Sequence, residues 1–285
     1  MPVGNQRTKM SGSGGKGRYF RRSLALLLMI ASVPSLFIAV SNYWIGIRQI
    51  EKEAIRSHQL RTEQVSEMLA NQFDQIAIVM SRWSTNPLFG DYLDRFSFLE
   101  NISQSQELMQ SLTVVGGSNL FIDEARLYLG RQRTLVSAEG IQSLSGARLE
   151  AYSRLLKQHE GLFLAYDLPL NDKGAIAPVS MIFKLPWYAD KPFGAFVLNL
   201  SGPEIERSVG YLQTGERGAA FLMQKNGEWI TKPEERASAL SDALRSEVLD
   251  RADSKEGFFP FEWQGKDYQV SFSRVTQAEW MYVTA

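Results

Sequence analysis

The sequence contains no cysteine and only two histidines, His58 and His159. Without cysteine the chain forms no disulfide, so an exported domain of this composition must be stabilised by packing alone, which favours a bacterial surface protein. A zinc site or a Ser-His-Asp triad would need one of the two histidines. We interpret both as solvated, since His58 lies on a long polar helix and His159 at the end of an amphipathic one.

Acidic residues are absent before Glu51, and residues 1–22 carry six basic side chains. The next 25 residues, Ser23–Ile47, have no charge. A helix of about 20 apolar residues crosses a bilayer, and a basic flank stays on the cytoplasmic side. We therefore predict a basic cytoplasmic tail over 1–22 and a transmembrane helix over 23–47 in contact with membrane lipid. Residues after about 48 are then extracytoplasmic.

A cleavable signal peptide is the alternative to this anchor. Ala39-Val40-Ser41 forms a loose small-x-small site of the kind that signal peptidases cut. Against it, the apolar run is long for a signal sequence, and Asn42-Tyr43-Trp44 would be a poor start for a mature chain. These features favour an uncleaved anchor.

The remainder of the chain is mildly acidic, with 25 basic against 31 acidic residues. This balance gives no electrostatic reason to bind nucleic acid. The Gly-rich segment 12–17 lacks the first glycine and the Ser/Thr of a phosphate-binding loop, so we interpret it as a flexible tail. No catalytic signature or cofactor motif is evident, and we expect no enzymatic activity and no cofactor in this part.

Apolar residues continue beyond the anchor at alternating steps of three and four, from Ile47 to Trp83. This spacing predicts one long helix, closed by Pro87. Its apolar seam has two interpretations: a homodimer interface, or the face that packs on the following sheets. We favour a division in which the half near the membrane dimerises and the distal half is core.

After residue 117 the pattern changes to short alternating strands, which predicts an α+β fold. We predict helices over 91–98 and 103–115 before this point. The expected first sheet contains about five strands, with a helix between the second and the third. The predicted elements are: strands 122–129 and 134–137, helix 147–159, strands 162–168, 177–185 and 194–200, helix 204–212, strands 219–224 and 228–231, helix 239–251, and strands 257–263, 267–274 and 280–284. Hairpin, helix and strands occur twice, which indicates two related sheets in series.

This layout resembles the extracytoplasmic double Cache (dCache) sensor region of Gram-positive transmembrane regulators, whose output domains are AraC-type helix-turn-helix or histidine-kinase modules. The resemblance is carried by Asp123-Glu-Ala-Arg-Leu-Tyr128, by Gly194-Ala-Phe-Val-Leu-Asn-Leu200 followed by a helix, by Lys225-Asn-Gly-Glu, and by Glu279-Trp-Met-Tyr-Val283. It implies two successive PAS-like (Cache) modules after the long helix.

The resemblance also implies an organisation for residues 48–285. A membrane-distal module with the long helix occupies 48–203, and a membrane-proximal module occupies 204–285, truncated before a second transmembrane helix. A small ligand (sugar, amino acid or organic acid) or a binding protein would engage the distal module. The signal would then pass through the membrane to an output domain absent from this sequence. The alternative function is a surface-anchored adhesin or envelope hydrolase.

Six residues form our candidate ligand site: Arg126, Tyr128, Tyr166, Lys184, Trp187 and Tyr188. Arg126 and Tyr128 share one face of the first strand, while Ala125, Leu127 and Leu129 share the other. Packing of the apolar face on the long helix would leave Arg126 and Tyr128 toward the loops. Aromatic walls with one or two cations suit a small carboxylate or sugar. The alternative is that Arg126 pairs with a surface acid and the aromatics fill the core rim.

Overall fold

The computed structural model describes residues 14–171, 173–187, 189–210, 219–231, 235–251, 253–275 and 278–285. The chain divides into two compact units, residues 1–57 and 58–285. Helix α1, Gly14–Ser84, supplies residues to both units.

In the first unit, α1 presents its apolar side chains outward. Leu27, Ile30 and Phe37 are 69%, 70% and 74% exposed. A core helix of a soluble domain would bury such side chains, whereas the hydrocarbon of a bilayer accepts them. By length and composition this part of α1 can cross a membrane.

Two serines lie within this apolar stretch, and both are satisfied inside the helix. Ser32 donates its hydroxyl to the Leu28 carbonyl at 2.6 Å, and Ser35 donates to the Ala31 carbonyl at 2.9 Å. Such back-bonding lets a hydroxyl sit in an apolar environment without an unpaired donor.

In the second unit, α1 buries a stripe of apolar side chains at steps of three and four: Val65, Leu69, Phe73, Ile76 and Met80. This spacing places them on one face of the helix. All five belong to the main core cluster of the protein. The expected packing role of the distal half of the seam is therefore confirmed, while the dimer role of the other half stays a prediction.

Helix α1 ends at Ser84, and the chain turns sharply after it. Pro87–Phe89 and Asp91–Arg95 form two short 3-10 turns. The helix predicted over 91–98 is therefore confirmed only in part, as a 3-10 helix that ends at Arg95, because the chain becomes extended at Phe96, whose ring is buried in the core. Helix α2, Ile102–Gly116, follows as expected.

The first sheet contains six strands, one more than expected. Its elements are β1 (Ile122–Leu129), β2 (Thr134–Ser137), β3 (Gly140–Ser143), α3 (Gly146–Leu156), β4 (Leu162–Pro169), β5 (Ile176–Leu185) and β6 (Gly194–Leu200). The strand order is β3-β2-β1-β6-β5-β4, with every pair antiparallel. The unexpected strand, β3, is short and mostly exposed, so it carries no alternating apolar pattern.

The second sheet is smaller and follows helix α4, Gly202–Gly210. Its elements are β7 (Ala220–Gln224), α5 (Glu235–Leu249), β8 (Glu256–Trp263), β9 (Lys266–Val275) and β10 (Trp280–Thr284), in the strand order β7-β10-β9-β8. The segment predicted as a strand over 228–231 returns along β7, but it is too irregular to form a strand. After the turn at Gly227, whose φ is +85°, Gln224 donates its N–H to the Glu228 carbonyl, Ile230 donates to the Leu222 carbonyl, and Trp229 forms an isolated bridge with Met223.

Hydroxyl groups join α1 to this second sheet. Thr62 lies 3.0 Å from Thr284 of β10, oxygen to oxygen, and Ser66 lies 2.8 Å from Ser273 of β9. All four side chains are buried. Burial without such pairing would cost free energy, so these contacts fix which part of α1 faces β10.

The expected α+β class, with a long N-terminal helix followed by two successive sheets, is confirmed. The division into modules at 48–203 and 204–285 stays a prediction. The structure brings the two sheets to one helix, because the main core cluster contains Leu222 and Trp280 of the second sheet together with Leu127 of the first.

We predict that Ile76→Ala lowers the free energy of unfolding by about 2–5 kcal/mol, because Ile76 is fully buried between α1 and the sheets. Ile78→Ala, two residues along the same helix, is the matched control. Ile78 is 55% exposed, so its loss changes stability by less than about 0.5 kcal/mol. Urea unfolding of the detergent-solubilised chain measures both, and equal effects would contradict this helix orientation.

Candidate functional site

The two faces of the first sheet differ in chemistry. Tyr128 of β1 packs with Tyr152 and Leu155 of α3. Leu127 and Leu129, on the opposite face, belong to the main core cluster that includes the stripe of α1. The expectation that the apolar face of β1 packs toward the long helix is thus confirmed. The face with Arg126 and Tyr128 lies toward α3.

Arg126 is held between a carboxylate and a backbone carbonyl. Its Nη2 pairs with Glu124 Oε2 at 2.6 Å, and its Nη1 donates to the Leu170 carbonyl at 3.1 Å. Only 11% of the Arg126 side chain and 24% of the Glu124 side chain are exposed. Burial lowers the pKa of Arg126, but the hydrogen bond and charge of Glu124 outweigh it, so the pKa is raised and the guanidinium stays charged.

A second guanidinium reaches the same carbonyl. Arg148, which is buried on α3, donates its Nη2 to the Leu170 carbonyl at 3.1 Å and to Gln142 Oε1 at 3.2 Å. The guanidinium groups of Arg126 and Arg148 therefore converge on one backbone carbonyl.

Tyr152 adds a buried hydroxyl to these groups. Its ring is fully buried and packs at a tilt of 58° against the Tyr128 ring, with ring centroids 5.5 Å apart. Its hydroxyl lies beside the Arg126 guanidinium, yet among the described residues no hydrogen bond of ordinary geometry reaches it. Burial raises the pKa of Tyr152, opposed in part by the charges of Arg126 and Arg148. The group is therefore a neutral phenol at physiological pH.

The polar groups continue across the sheet. Ser180 of β5 donates to Asn199 Oδ1 at 2.9 Å, and Asn199 Nδ2 lies 3.5 Å from Glu124 Oε2. Glu124, Asn199 and Ser180 are register neighbours on three adjacent strands. We call Glu124, Arg126, Arg148, Tyr152, Ser180 and Asn199 the polar cluster.

Some buried atoms of the polar cluster lack a hydrogen-bond partner in the described part of the chain, among them Glu124 Oε1, Arg126 Nε and Tyr152 Oη. Buried polar atoms are satisfied in most proteins, and each exception requires a reason. Here an acceptor and two potential donors lie within one cluster, an arrangement suited to a polar ligand or to ordered water.

An open cleft of about 990 Å³ lies on the α3 side of the first sheet, and its lining includes Tyr128 and Ser153 but no residue of the polar cluster. Three of the predicted residues, Tyr128, Lys184 and Trp187, line it. Its other charged side chains are three basic and two acidic ones, Arg131, Lys157, Lys191, Asp94 and Asp190, and Arg131 pairs with Asp94 at 3.2 Å. The structure thus brings Tyr128, Lys184 and Trp187 to one cavity. Arg126 lies on the same face, in the polar cluster.

Lys184 is almost fully buried, and its Nζ donates to the Gln158 carbonyl. Its charge is therefore already engaged with the end of α3. Trp187, in contrast, is 55% exposed at the mouth of the cleft. An exposed indole beside cationic side chains suits contact with a ligand better than a role in the core.

The two remaining predicted residues do not join this group. Tyr166 belongs to the opposite side of β4, where its hydroxyl accepts a hydrogen bond from Trp280 Nε1 at 2.9 Å and its ring packs on the main core cluster. The reason is the period of two along β4, which sends Tyr166 and Ala165 to different faces. Tyr188 lies outside the described residues.

Sequence reasoning missed the contributions of Arg148 and Tyr152. Their spacing of four residues on an amphipathic helix places both on one face of α3. That spacing was a usable signal. The Leu170 carbonyl, a backbone group from the connection between β4 and β5, had no signal in the sequence.

The histidines differ from each other in environment. His159 is exposed, as expected. His58 is half-buried, its Nδ1 lacks a partner among the described groups, and burial together with the charge of Arg61 lowers its pKa. The prediction of a solvated His58 is therefore wrong in part. Over the described residues no cluster of three metal-ligating side chains occurs.

Comparison of the sequence with protein-family models and with curated proteins finds no match. The fold, in contrast, has many similar solved structures. The extracellular domain of rpHK1S-Z16, a protein assigned as a histidine kinase, superposes with a TM-score of 0.60 at 13% identity, covering 84% of this chain and 95% of that one.

Two further solved structures have similar TM-scores. The periplasmic sensory domain of the Campylobacter jejuni chemoreceptor Tlp1 has a TM-score of 0.59 at 14% identity, covering 82% of this chain and 95% of that one. The ligand-binding domain of Mlp24 with asparagine has a TM-score of 0.56 at 17% identity, with coverages of 84% and 94%. At these identities the likeness establishes the fold, which is that of extracellular Cache-like sensor domains.

We predict that Tyr152→Phe leaves the free energy of unfolding unchanged or raises it by up to about 1 kcal/mol, because it removes a buried hydroxyl that lacks a good partner. Tyr128→Phe is the matched control on the facing ring. It leaves Ser153 without its 3.0 Å hydrogen bond to the Tyr128 hydroxyl and should lower stability by about 1 kcal/mol. Thermal unfolding of the two variants without ligand tests this, and an equal loss in both would show that the Tyr152 hydroxyl is bonded.

Proposed function

We propose that this chain is the ligand-sensing region of a membrane-bound bacterial signal transducer. Residues 23–47 anchor it in the lipid bilayer with residues 1–22 in the cytoplasm. Residues after about 48 are extracytoplasmic and carry the sensing modules, 48–203 distal and 204–285 proximal. The sensing region itself is not an enzyme and uses no cofactor.

The observation that carries this proposal is the polar cluster. A fold shared with extracellular sensor domains of a chemoreceptor and a histidine kinase supports the class of receptor. Within that fold, Glu124, Arg126 and Tyr152 place unmet hydrogen-bonding atoms between the first sheet and α3. A binding site for a small polar molecule is the function that these groups suit best.

The guanidinium group of Arg126 supports an anionic ligand. Its buried Nε has no hydrogen-bond partner among the described residues, so a carboxylate at this position would gain a charge-assisted hydrogen bond. Mlp24, whose structure contains asparagine, has the same fold. Amino acids and organic acids are therefore the classes that we place first, ahead of sugars or a binding protein.

For the output we propose the two classes that the sequence resemblance implies, an AraC-type regulator or a histidine kinase. The similarity to the extracellular domain of a protein assigned as a histidine kinase supports the second class more directly. We further propose that two copies associate through the exposed apolar side chains of α1 near the membrane, such as Ile50, which is 71% exposed.

We predict that thermal-shift screening of the detergent-solubilised chain against amino acids, organic acids and sugars yields a stabilising carboxylate. Arg126→Gln should weaken that compound about tenfold or more, because it removes charge-assisted hydrogen bonds. Arg207→Gln is the control, since Arg207 pairs with Glu204 on α4 and is 72% exposed. Titration calorimetry measures both affinities. Unchanged affinity in Arg126→Gln would overturn the site, and a screen without any binder would overturn the sensing function.

We also predict the membrane topology, which the cysteine-free sequence makes easy to test. A membrane-impermeant maleimide should label a Lys225→Cys variant in intact cells, because Lys225 is exposed in the second unit. The same reagent should label a Ser11→Cys variant only after permeabilisation, since residues 1–22 carry the basic charges that stay inside. The opposite labelling pattern would refute this orientation.

A further inference from the structure

Trp280, the first residue of β10, contacts three different parts of the second unit. Its indole meets the Phe73 ring of α1 edge-on, with ring centroids 4.9 Å apart. Its Nε1 donates to the Tyr166 hydroxyl of β4 at 2.9 Å. The strand that carries it pairs with β7 and β9. A single fully buried side chain of the second sheet therefore contacts the long helix and the edge strand of the first sheet.

The Tyr166 hydroxyl is adapted to keep this contact. Burial raises the pKa of Tyr166; the hydrogen bond from Trp280 opposes this rise, and the nearby carboxylates of Glu279 and Glu228 add to it. The phenol therefore remains protonated, so its oxygen accepts the indole N–H without bringing a buried charge. Because an indole N–H can only donate, the phenol oxygen is a suitable partner for it.

Strand β4 has the contact between Tyr166 and Trp280 on one face and the α3 side, where the candidate site lies, on the other. Ala165 and Leu168 of β4 pack with Tyr152 and the α3 cluster, whereas Leu164 and Tyr166 pack with the main core cluster on the other side. A second cavity of about 670 Å³ lies between α3 and β4, and Tyr166 borders it. Since the two sets of side chains stand on one backbone, a displacement of β4 on the α3 side necessarily moves Tyr166 on the other.

The opposite end of β10 reaches α1 again. Thr284 lies 3.0 Å from Thr62, oxygen to oxygen, where α1 enters the second unit. Strand β10 thus has contacts at both ends. Trp280 contacts Tyr166 and Phe73 at one end, and Thr284 contacts Thr62 at the other. A short paired strand transmits a shift of its first residue along its length better than a loop would, because its backbone hydrogen bonds move together.

We propose that the hydrogen bond between Tyr166 and Trp280 couples the α3 side of the first sheet to strand β10. Tyr166 and Trp280 are positioning residues in this scheme: a ligand that displaces β4 changes the packing of Trp280 and, through β10, the contact with Thr62. The inference rests on the proposed function for the origin of the displacement. The coupling itself can be measured without a ligand.

The test is hydrogen–deuterium exchange of the full chain in lipid nanodiscs, with no ligand added. Tyr166→Phe removes the hydroxyl and should accelerate amide exchange in β10 about threefold to tenfold, leaving α5 and β8 unchanged. Trp280→Phe should accelerate exchange in β4 by a similar factor, because coupling between two sites is reciprocal. The double variant should exchange in β10 no faster than the Trp280→Phe variant, since both changes break one contact.

Tyr268→Phe in β9 is the matched control. Tyr268 is a half-buried tyrosine of the second sheet, and its ring meets Trp263 edge-on and not Trp280. It should leave exchange in β4 and β10 as in the parent chain. Acceleration confined to β4 in Tyr166→Phe, or spread evenly over the second unit, would overturn the coupling. Because no ligand is used, a failed ligand screen leaves this result intact, and the two proposals can fail separately.

Discussion

The structure of the second unit depends on one constraint, the buried apolar face of α1. Leu69, Phe73 and Ile76 contact a cluster that takes side chains from both sheets, including Leu127 and Trp280. Neither sheet can be stable with one apolar face in water, so each requires this helix. As a consequence the two sheets share a core. A change in the packing of one sheet therefore alters its contact with α1, on which the other sheet also packs.

The same constraint creates the polar site. Once Leu127 and Leu129 face α1, the strand period of two forces Arg126 and Tyr128 to the other face. There α3 and the connection after β4 cover them, so the charge of Arg126 is held in a place with little water. A charge in such a place must be paired, and Glu124 with the Leu170 carbonyl supplies the partners. The remaining unmet atoms are the reason why we propose this face, and not the α1 face, as the ligand site.

The contact between α1 and the second sheet has an apolar part, Phe73 with Trp280, and a polar part. In the polar part, the hydroxyl pairs of Thr62 with Thr284 and Ser66 with Ser273 replace apolar contacts. Thr62 also donates within the helix to the His58 carbonyl, and Thr284 can donate to the Ser271 carbonyl. Each hydroxyl oxygen carries one proton to donate and two lone pairs that accept. These hydrogen bonds can therefore exchange partners at little cost in free energy. Such an interface tolerates small shifts better than a close-packed apolar one.

The sequence by itself determined the elements that have a periodic signal. The Ser23–Ile47 stretch is recognised by its length and its lack of charge. The seam from Val65 to Met80 and the alternating strand 122–129 follow local periods that burial imposes directly. The tertiary structure decided which faces meet. Tyr166 and Arg126 both looked like site residues, yet they lie on opposite sides of the first sheet, and Arg148 and Tyr152 join Arg126 only through the packing of α3. Pairing between distant strands and helices carries no local pattern, so that part of the site could come only from the fold.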